Sequence, residues 1–249
     1  MTDTELLLGA LFVVVAVLYS SVGHAGASGY IAAMALLGFA PEQMRPTALA
    51  LNLLVGGIGL YRFWRAGHVR WRNVLPFVLA SAPAAFFAAQ VTLPRDAYAT
   101  LLGLILLVTA AGVLRGASRA DADDLGDAGK RVPWVPGLLV GATIGALSGL
   151  TGTGGAIFLT PLLLFAHWMP TREASGTSVA FVWINSLMAM AGLMQAQAVL
   201  PDALPEWLAM VAVGALIGTQ LGLKWLPVRA LRHALVLVLL VAAGKLLLG

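Results

Sequence analysis

The chain has no cysteine and very little charge. Without thiols there is no disulfide, no thiolate nucleophile and no cysteine metal site. Charged residues make up 10% of the 249. A soluble domain carries roughly 25%, so this chain cannot clothe a soluble surface. The eleven carboxylates (Asp3, Glu5, Glu42, Asp96, Asp121, Asp123, Asp124, Asp127, Glu173, Asp202 and Glu206) all fall in tails, in loops or at the ends of apolar runs. That placement argues against a buried acidic proton relay and against a carboxylate cage for a cation. No HExxH pair, Walker A lysine or GxSxG elbow occurs, so no catalytic centre, metal site or cofactor is expected. The net charge of +4 does not indicate nucleic acid, because the basic residues sit between apolar runs.

Apolar residues dominate at 60%, with a mean hydropathy of +0.91. Ten apolar segments can be read, at about 6–22, 30–40, 47–64, 74–91 and 97–114, then 134–149, 156–168, 177–194, 207–223 and 231–248. Most are long enough, with a few flanking residues, to cross a bilayer as helices, which takes about 20 residues. The second segment of each group of five is shorter and reaches only about 20 Å as a helix. Asp3 and Glu5 stand where a secretory leader would carry its basic region, so the first run is expected to remain as a span.

Positive charge orients these segments. If each crosses once and the N-terminus lies outside, the cytoplasmic loops hold Arg62, Arg65, Arg70, Arg72, Arg115, Arg119, Lys130, Arg131, Arg172, Lys224, Arg229 and Arg232. The outside loops hold only Arg45 and Arg95, and Lys245 lies at the C-terminal end. The third-to-fourth loop is rich in arginine in the first half. Its second-half counterpart carries Asp202 and Glu206 instead. Equivalent loops therefore face opposite sides. The expected fold is an all-α polytopic membrane protein made of two inverted-topology repeats of about five helical segments. The repeats are 1–114 and 134–249, joined by a cytoplasmic linker at 115–133.

A glycine-rich turn occurs once in each repeat. Gly23-His24-Ala25-Gly26-Ala27-Ser28-Gly29 and Gly149-Leu150-Thr151-Gly152-Thr153-Gly154-Gly155 align at an offset of 126, and further matches such as Thr47 with Thr177 follow at 130. Each turn sits between a long apolar run and a short one, the arrangement that broken-helix transporters use to build binding sites. Glycine leaves backbone N–H groups uncovered, and a helix N-terminus beside them makes a concavity suited to an anion. The candidate substrate contacts are His24, Gly26, Ser28, Gly29, Asn52, Thr151, Gly152, Thr153, Gly154, Gly155, Thr177, Ser178 and Asn185. His24 is the histidine placed inside a membrane element and could carry a coupling proton. Close helix packing is the competing reading of the glycines. It is preferred for the ladders Gly141/Gly145/Gly149 and Gly214/Gly218/Gly222. A structural or assembly subunit with no transport of its own would also account for glycines used in this way.

The stretch Gly141–Pro161, read as GxxxGxxxGLxGxGGxxxxxP, resembles the second-repeat motif of the TauE/SafE family of sulfite exporters and related anion permeases. Ala174–Ser178 and Asn185-Ser186 resemble that family's following helix. Gly23–Gly29 and Thr47–Asn52 resemble degenerate first-repeat counterparts. The resemblance implies a permease of the bacterial inner membrane that carries sulfite, an organosulfonate or a similar sulfur oxyanion. The expected partners are this small anion and the bilayer; proton coupling is left open between His24, the substrate itself and none at all. Two halves rocking around one site is the expected mechanism. Nothing in the sequence sets an oligomeric state.

Overall fold

The computed structural model describes residues 2–21, 25–119, 132–224 and 228–248. These form α1 (Asp3–Ser21), α2 (Ala27–Leu36), α3 (Pro41–Arg65), α4 (Trp71–Ala89), α5 (Arg95–Arg119), α6 (Trp134–Thr151), α7 (Ala156–Phe165), α8 (Thr171–Gln195), α9 (Leu204–Lys224) and α10 (Val228–Leu248). No strand occurs among the described residues. Among the described residues, six helices are long and apolar enough to cross a membrane. Large apolar side chains such as Leu79, Leu139, Val213 and Leu237 point outward. Only a lipid solvent makes that arrangement stable, because helices satisfy their own backbone and leave apolar side chains for the hydrocarbon.

The ten apolar runs correspond to the ten helices, with shifted ends. α3 begins at Pro41 and not near residue 47, and α8 begins at Thr171 and not near 177. Each becomes a 25-residue helix, about 37 Å long. Pro41 and Pro46 make the α3 start look like a loop. Pro41, however, occupies the first helical position, where no N–H is needed, and Pro46 is absorbed one turn later. The two short helices have 10 residues each and reach about 15 Å. They span half a membrane.

The same helix ending recurs in both halves. α2 ends with Phe39 N–H bonded to Met34 O and Gly38 N–H to Ala35 O. α3 ends with the same pair of bonds, from His68 to Phe63 and from Gly67 to Trp64. In the second half, Trp168 bonds Leu163 and His167 bonds Leu164, and Ala198 bonds Leu193 and Gln197 bonds Met194. These are Schellman caps, which place one residue in the left-handed region. Gly38 and Gly67 fill that place in the first half. In the second, His167 (φ 51°) and Gln197 (φ 60°) adopt it without glycine's freedom. Gly38 and His167 are 129 apart and Gly67 and Gln197 are 130 apart, the spacing already seen at Thr47 and Thr177.

Helix packing follows the same exchange. α4 packs on α6 as α1 packs on α9, α2 packs on α3 as α7 packs on α8, and the pairs α3–α8 and α5–α10 are their own counterparts. Glycine ladders hold the two closest pairs. A Cβ on Gly141, Gly145 or Gly149 of α6 would strike the Phe77, Ser81 or Ala85 carbonyl of α4. Gly214 (2.9 Å) and Gly218 of α9 likewise face the Val13 and Val17 carbonyls of α1. Here the packing reading of the glycines holds. The backbones approach so closely that helix–helix contact replaces side-chain packing.

Candidate functional site

α3 and α8 pack against each other, and both glycine turns lie against them near mid-length. A Cβ on Gly154 would lie 2.6 Å from Asn52 Nδ2, 3.2 Å from Val182 and 3.3 Å from Ser186 Oγ. On the first-half side, Ala25 lies 3.5 Å from the same point on Gly56. Asn52 and Gly56 are one helical turn apart, so the two turns differ in depth by about 6 Å. Both are deep in the bundle.

The second turn requires its glycines. Gly152, Gly154 and Gly155 have φ of 78°, 76° and 86°, values that L side chains adopt at a cost of roughly 1–2 kcal/mol each. Gly155 is the N-cap of α7, and no side chain caps that helix. Phe158 N–H turns back to Gly155 O at 3.2 Å, and the N–H groups ahead of it carry the positive end of the helix, equivalent to about half a charge, with no side-chain cap. Gly26 (φ 100°) is likewise the uncapped N-cap of α2, with the Tyr30 ring 3.1 Å from where its Cβ would be.

Around the second turn lie buried polar atoms without partners: Asn52 Oδ1, Ser148 Oγ, Thr160 Oγ1, Ser178 Oγ and both amide atoms of Asn185. Buried polar groups are normally hydrogen-bonded, so such a cluster calls for an occupant. Thr160 and Ser178 line a cavity of about 10 Å³ with Ala25, Ala156, Ser175, Val179 and Val182. That is space for about one water. Its walls come from Ala25 of the first turn, from α7 just after the second turn, and from α8. Residues 178, 182 and 185 are spaced to share one face of α8, which puts Asn185 on the cavity side of that helix.

The structure divides the expected site residues into groups. Asn52, Gly152, Gly154, Gly155, Ser178 and Asn185 lie around the second turn and the α3–α8 seam, and Asn52 Nδ2 donates to Ser186 Oγ at 2.7 Å across it. Thr151 and Thr153 are joined hydroxyl to hydroxyl at 3.0 Å, with Thr151 Oγ1 also donating to Leu147 O at 2.7 Å. Thr177 is buried in α8 beside Ser178. Ser28 and Gly29 turn toward α1 instead. Ser28 Oγ bonds Tyr19 OH at 2.6 Å, and a Cβ on Gly29 would meet Val15 at 2.6 Å. Gly26 stays at the first turn. His24 lies outside the described residues.

Sequence reasoning missed four side chains here: Thr160, Ser186, Arg45 and Tyr98. Arg45 is 7% exposed and sits in α3, although its surroundings read as an outside loop. It precedes Asn52 by seven residues. That spacing puts the two on one helix face, and it is the signal that could have found Arg45.

A multi-pass bundle whose broken helices meet at mid-depth beside unpartnered polar groups defines a membrane transporter. The chain belongs to the TauE/SafE family: residues 7–246 match the family described as Sulfite exporter TauE/SafE. It is 44% identical over 246 residues to a "Probable membrane transporter protein y4hK" of Sinorhizobium fredii, covering 98% of this chain and 99% of that one. A "Probable membrane transporter protein" of Xylella fastidiosa strain Temecula1 is 29% identical over 170 residues, 65% of this chain and 64% of the relative. A protein of the same description from strain 9a5c matches to the same extent. No solved structure matches.

Proposed function

We propose that this transporter carries a small sulfur oxyanion, such as sulfite or an organosulfonate, across the bacterial inner membrane. One observation carries the reading. The N-terminus of α7, which no side chain caps, and the partnerless Asn52 Oδ1, Thr160 Oγ1, Ser178 Oγ and Asn185 amide converge at mid-depth, and the described carboxylates lie elsewhere, at helix ends and loops. Hydroxyl, amide and backbone donors suit oxygen atoms bearing negative charge. The present cavity admits about one water, so the turns must separate to admit an anion.

The charge bias of the loops supports inverted repeats with the N-terminus outside, and the exchanged helix pairs agree with that arrangement. The moving bodies, however, do not follow the repeats. The ladders join α4 to α6 and α1 to α9, each across the two halves. α4 also packs on α8, and α9 on α3. Alternating access then opens along the α3–α8 seam, between an α4–α6–α8 body and an α1–α9–α3 body. Because the chain has no cysteine, paired cysteines can test this. A cross-link from Gly59→Cys to Val179→Cys should stop flux, and one on the α4–α6 seam should leave it intact. The reverse pattern would sink the assignment.

The substrate test is flux of sulfite, sulfate, thiosulfate and methanesulfonate in proteoliposomes. Ser178→Ala and Asn185→Ala should each raise the KM of the carried anion roughly tenfold, since a hydrogen bond to a charged group contributes about 1.5–3 kcal/mol. Movement of none of the four by wild-type protein would end the sulfur-oxyanion reading.

A further inference from the structure

A broken helix poses an electrostatic problem for an anion site. The break exposes the positive start of α7 beside the negative end of α6, whose last four carbonyls have no donor inside the helix. Left open, the α6 end would largely cancel the attraction of the α7 start.

Three of those four carbonyls are occupied. Gly152 N–H donates to Ser148 O at 2.8 Å. Arg45 donates through one terminal nitrogen to Gly149 O at 2.8 Å, and Tyr98 OH donates to Thr151 O at 3.1 Å. The same guanidinium also holds the end of α4, donating to Ala89 O at 2.6 Å and Val91 O at 3.1 Å. Among the described residues Arg45 has no carboxylate partner, and the ion pair found there joins Arg70 and Glu173. The Arg45 charge is met by helix C-termini. Tyr98 is 2% exposed, so its hydroxyl acts in a nearly dry setting. The turn is held against α3 as well: a Cβ on Gly152 would lie 3.1 Å from the Arg45 Cα.

We propose that Arg45 and Tyr98 are positioning residues that mask the negative end of α6 and thereby set the preference of the second glycine turn for anions, a proposal that rests on the anion reading above. A buried cation inside a membrane protein is costly and marks function. Here it acts through the helix end that it neutralises, without touching the anion. The rest of the α6 terminus is handled by a neutral hydroxyl and a backbone N–H, so one positive charge serves two helix ends.

Tyr98→Phe is the sharpest probe, because it keeps the ring and its packing and removes one O–H. Flux of whichever of the four anions the wild type carries should show a KM raised about tenfold with the maximal rate within about twofold, and the melting midpoint in detergent should stay close to wild type. Arg45→Lys keeps the charge, but one ammonium cannot span three carbonyls; its KM should rise further than that of Tyr98→Phe, and Arg45→Gln should rise further still. A wild-type KM in Tyr98→Phe and Arg45→Lys, or a fall in maximal rate and melting midpoint with KM unmoved, would overturn the masking role. Wild-type protein that moves none of sulfite, sulfate, thiosulfate and methanesulfonate would instead overturn the sulfur-oxyanion reading beneath it.

Discussion

Replacing Gly154 with valine should reduce anion flux by at least about a hundredfold while the protein still inserts and folds. Two independent costs meet at this residue. Its φ of 76° is left-handed, a region that disfavours ordinary L-residues by roughly 1–2 kcal/mol and β-branched ones most of all. A Cβ there would also come within 2.6 Å of Asn52 Nδ2 and 3.2 Å of Val182. Asn52 would have to swing away and abandon its 2.7 Å bond to Ser186 across the seam. Losing a buried bond costs about 1–3 kcal/mol. Together these terms correspond to about two orders of magnitude in an equilibrium. The damage falls on a flexible amide and a loop, so the surrounding helices can keep their places. Flux would be compared with Gly244→Ala, where nothing lies within 4 Å and wild-type transport is expected. Near-normal flux in Gly154→Val would show that the second turn is only a connector.

Gly145→Ala should show the opposite signature, with the fold damaged first. Its Cβ would strike the Ser81 carbonyl and come within 2.6 Å of the Ser81 Cα. Both are backbone atoms in the middle of α4, so no rotamer change can relieve the contact. α4 and α6 must part along their whole ladder and open gaps at Gly141 and Gly149. Overpacking of this kind costs about 1–3 kcal/mol or more, and membrane helices have little hydrophobic drive to offset it. The expected result is a melting midpoint lower by about 5–10 °C in detergent, with flux falling in proportion to the folded protein. An unchanged midpoint would mean that the two helices are not in the contact described.

These two glycines show what a sequence can and cannot convey. Both kinds of glycine are recognisable from spacing alone. The small-xxx-small pattern marks Gly141, Gly145 and Gly149 as packing, and the cluster at a helix break marks Gly152–Gly155 as a candidate site. The bundle is equally legible, because a membrane span is a composition signal. Arg45 is not, because Pro41 and Pro46 give its surroundings the look of a loop. Tyr98 is not, because its hydroxyl meets a carbonyl 53 residues away. The Asn52–Ser186 bond spans 134 residues, beyond any local pattern. Ser28 and Gly29 are site candidates by their position in the motif, and only packing reveals that they turn toward α1. Sequence registers the segments and their chemistry; which faces meet is decided in three dimensions.

The ladders also bear on how the molecule is made. α1 enters the membrane well before α9, yet the surface that it fits belongs to α9, and the Trp207 indole that donates to Glu5 O arrives 202 residues later. α5 in the same way waits for α10, and Lys245 donates to Leu36 O across 209 residues. Contacts of such long sequence separation form late. During synthesis the first five helices are therefore a set of unfinished surfaces held in lipid until their partners in the second half arrive.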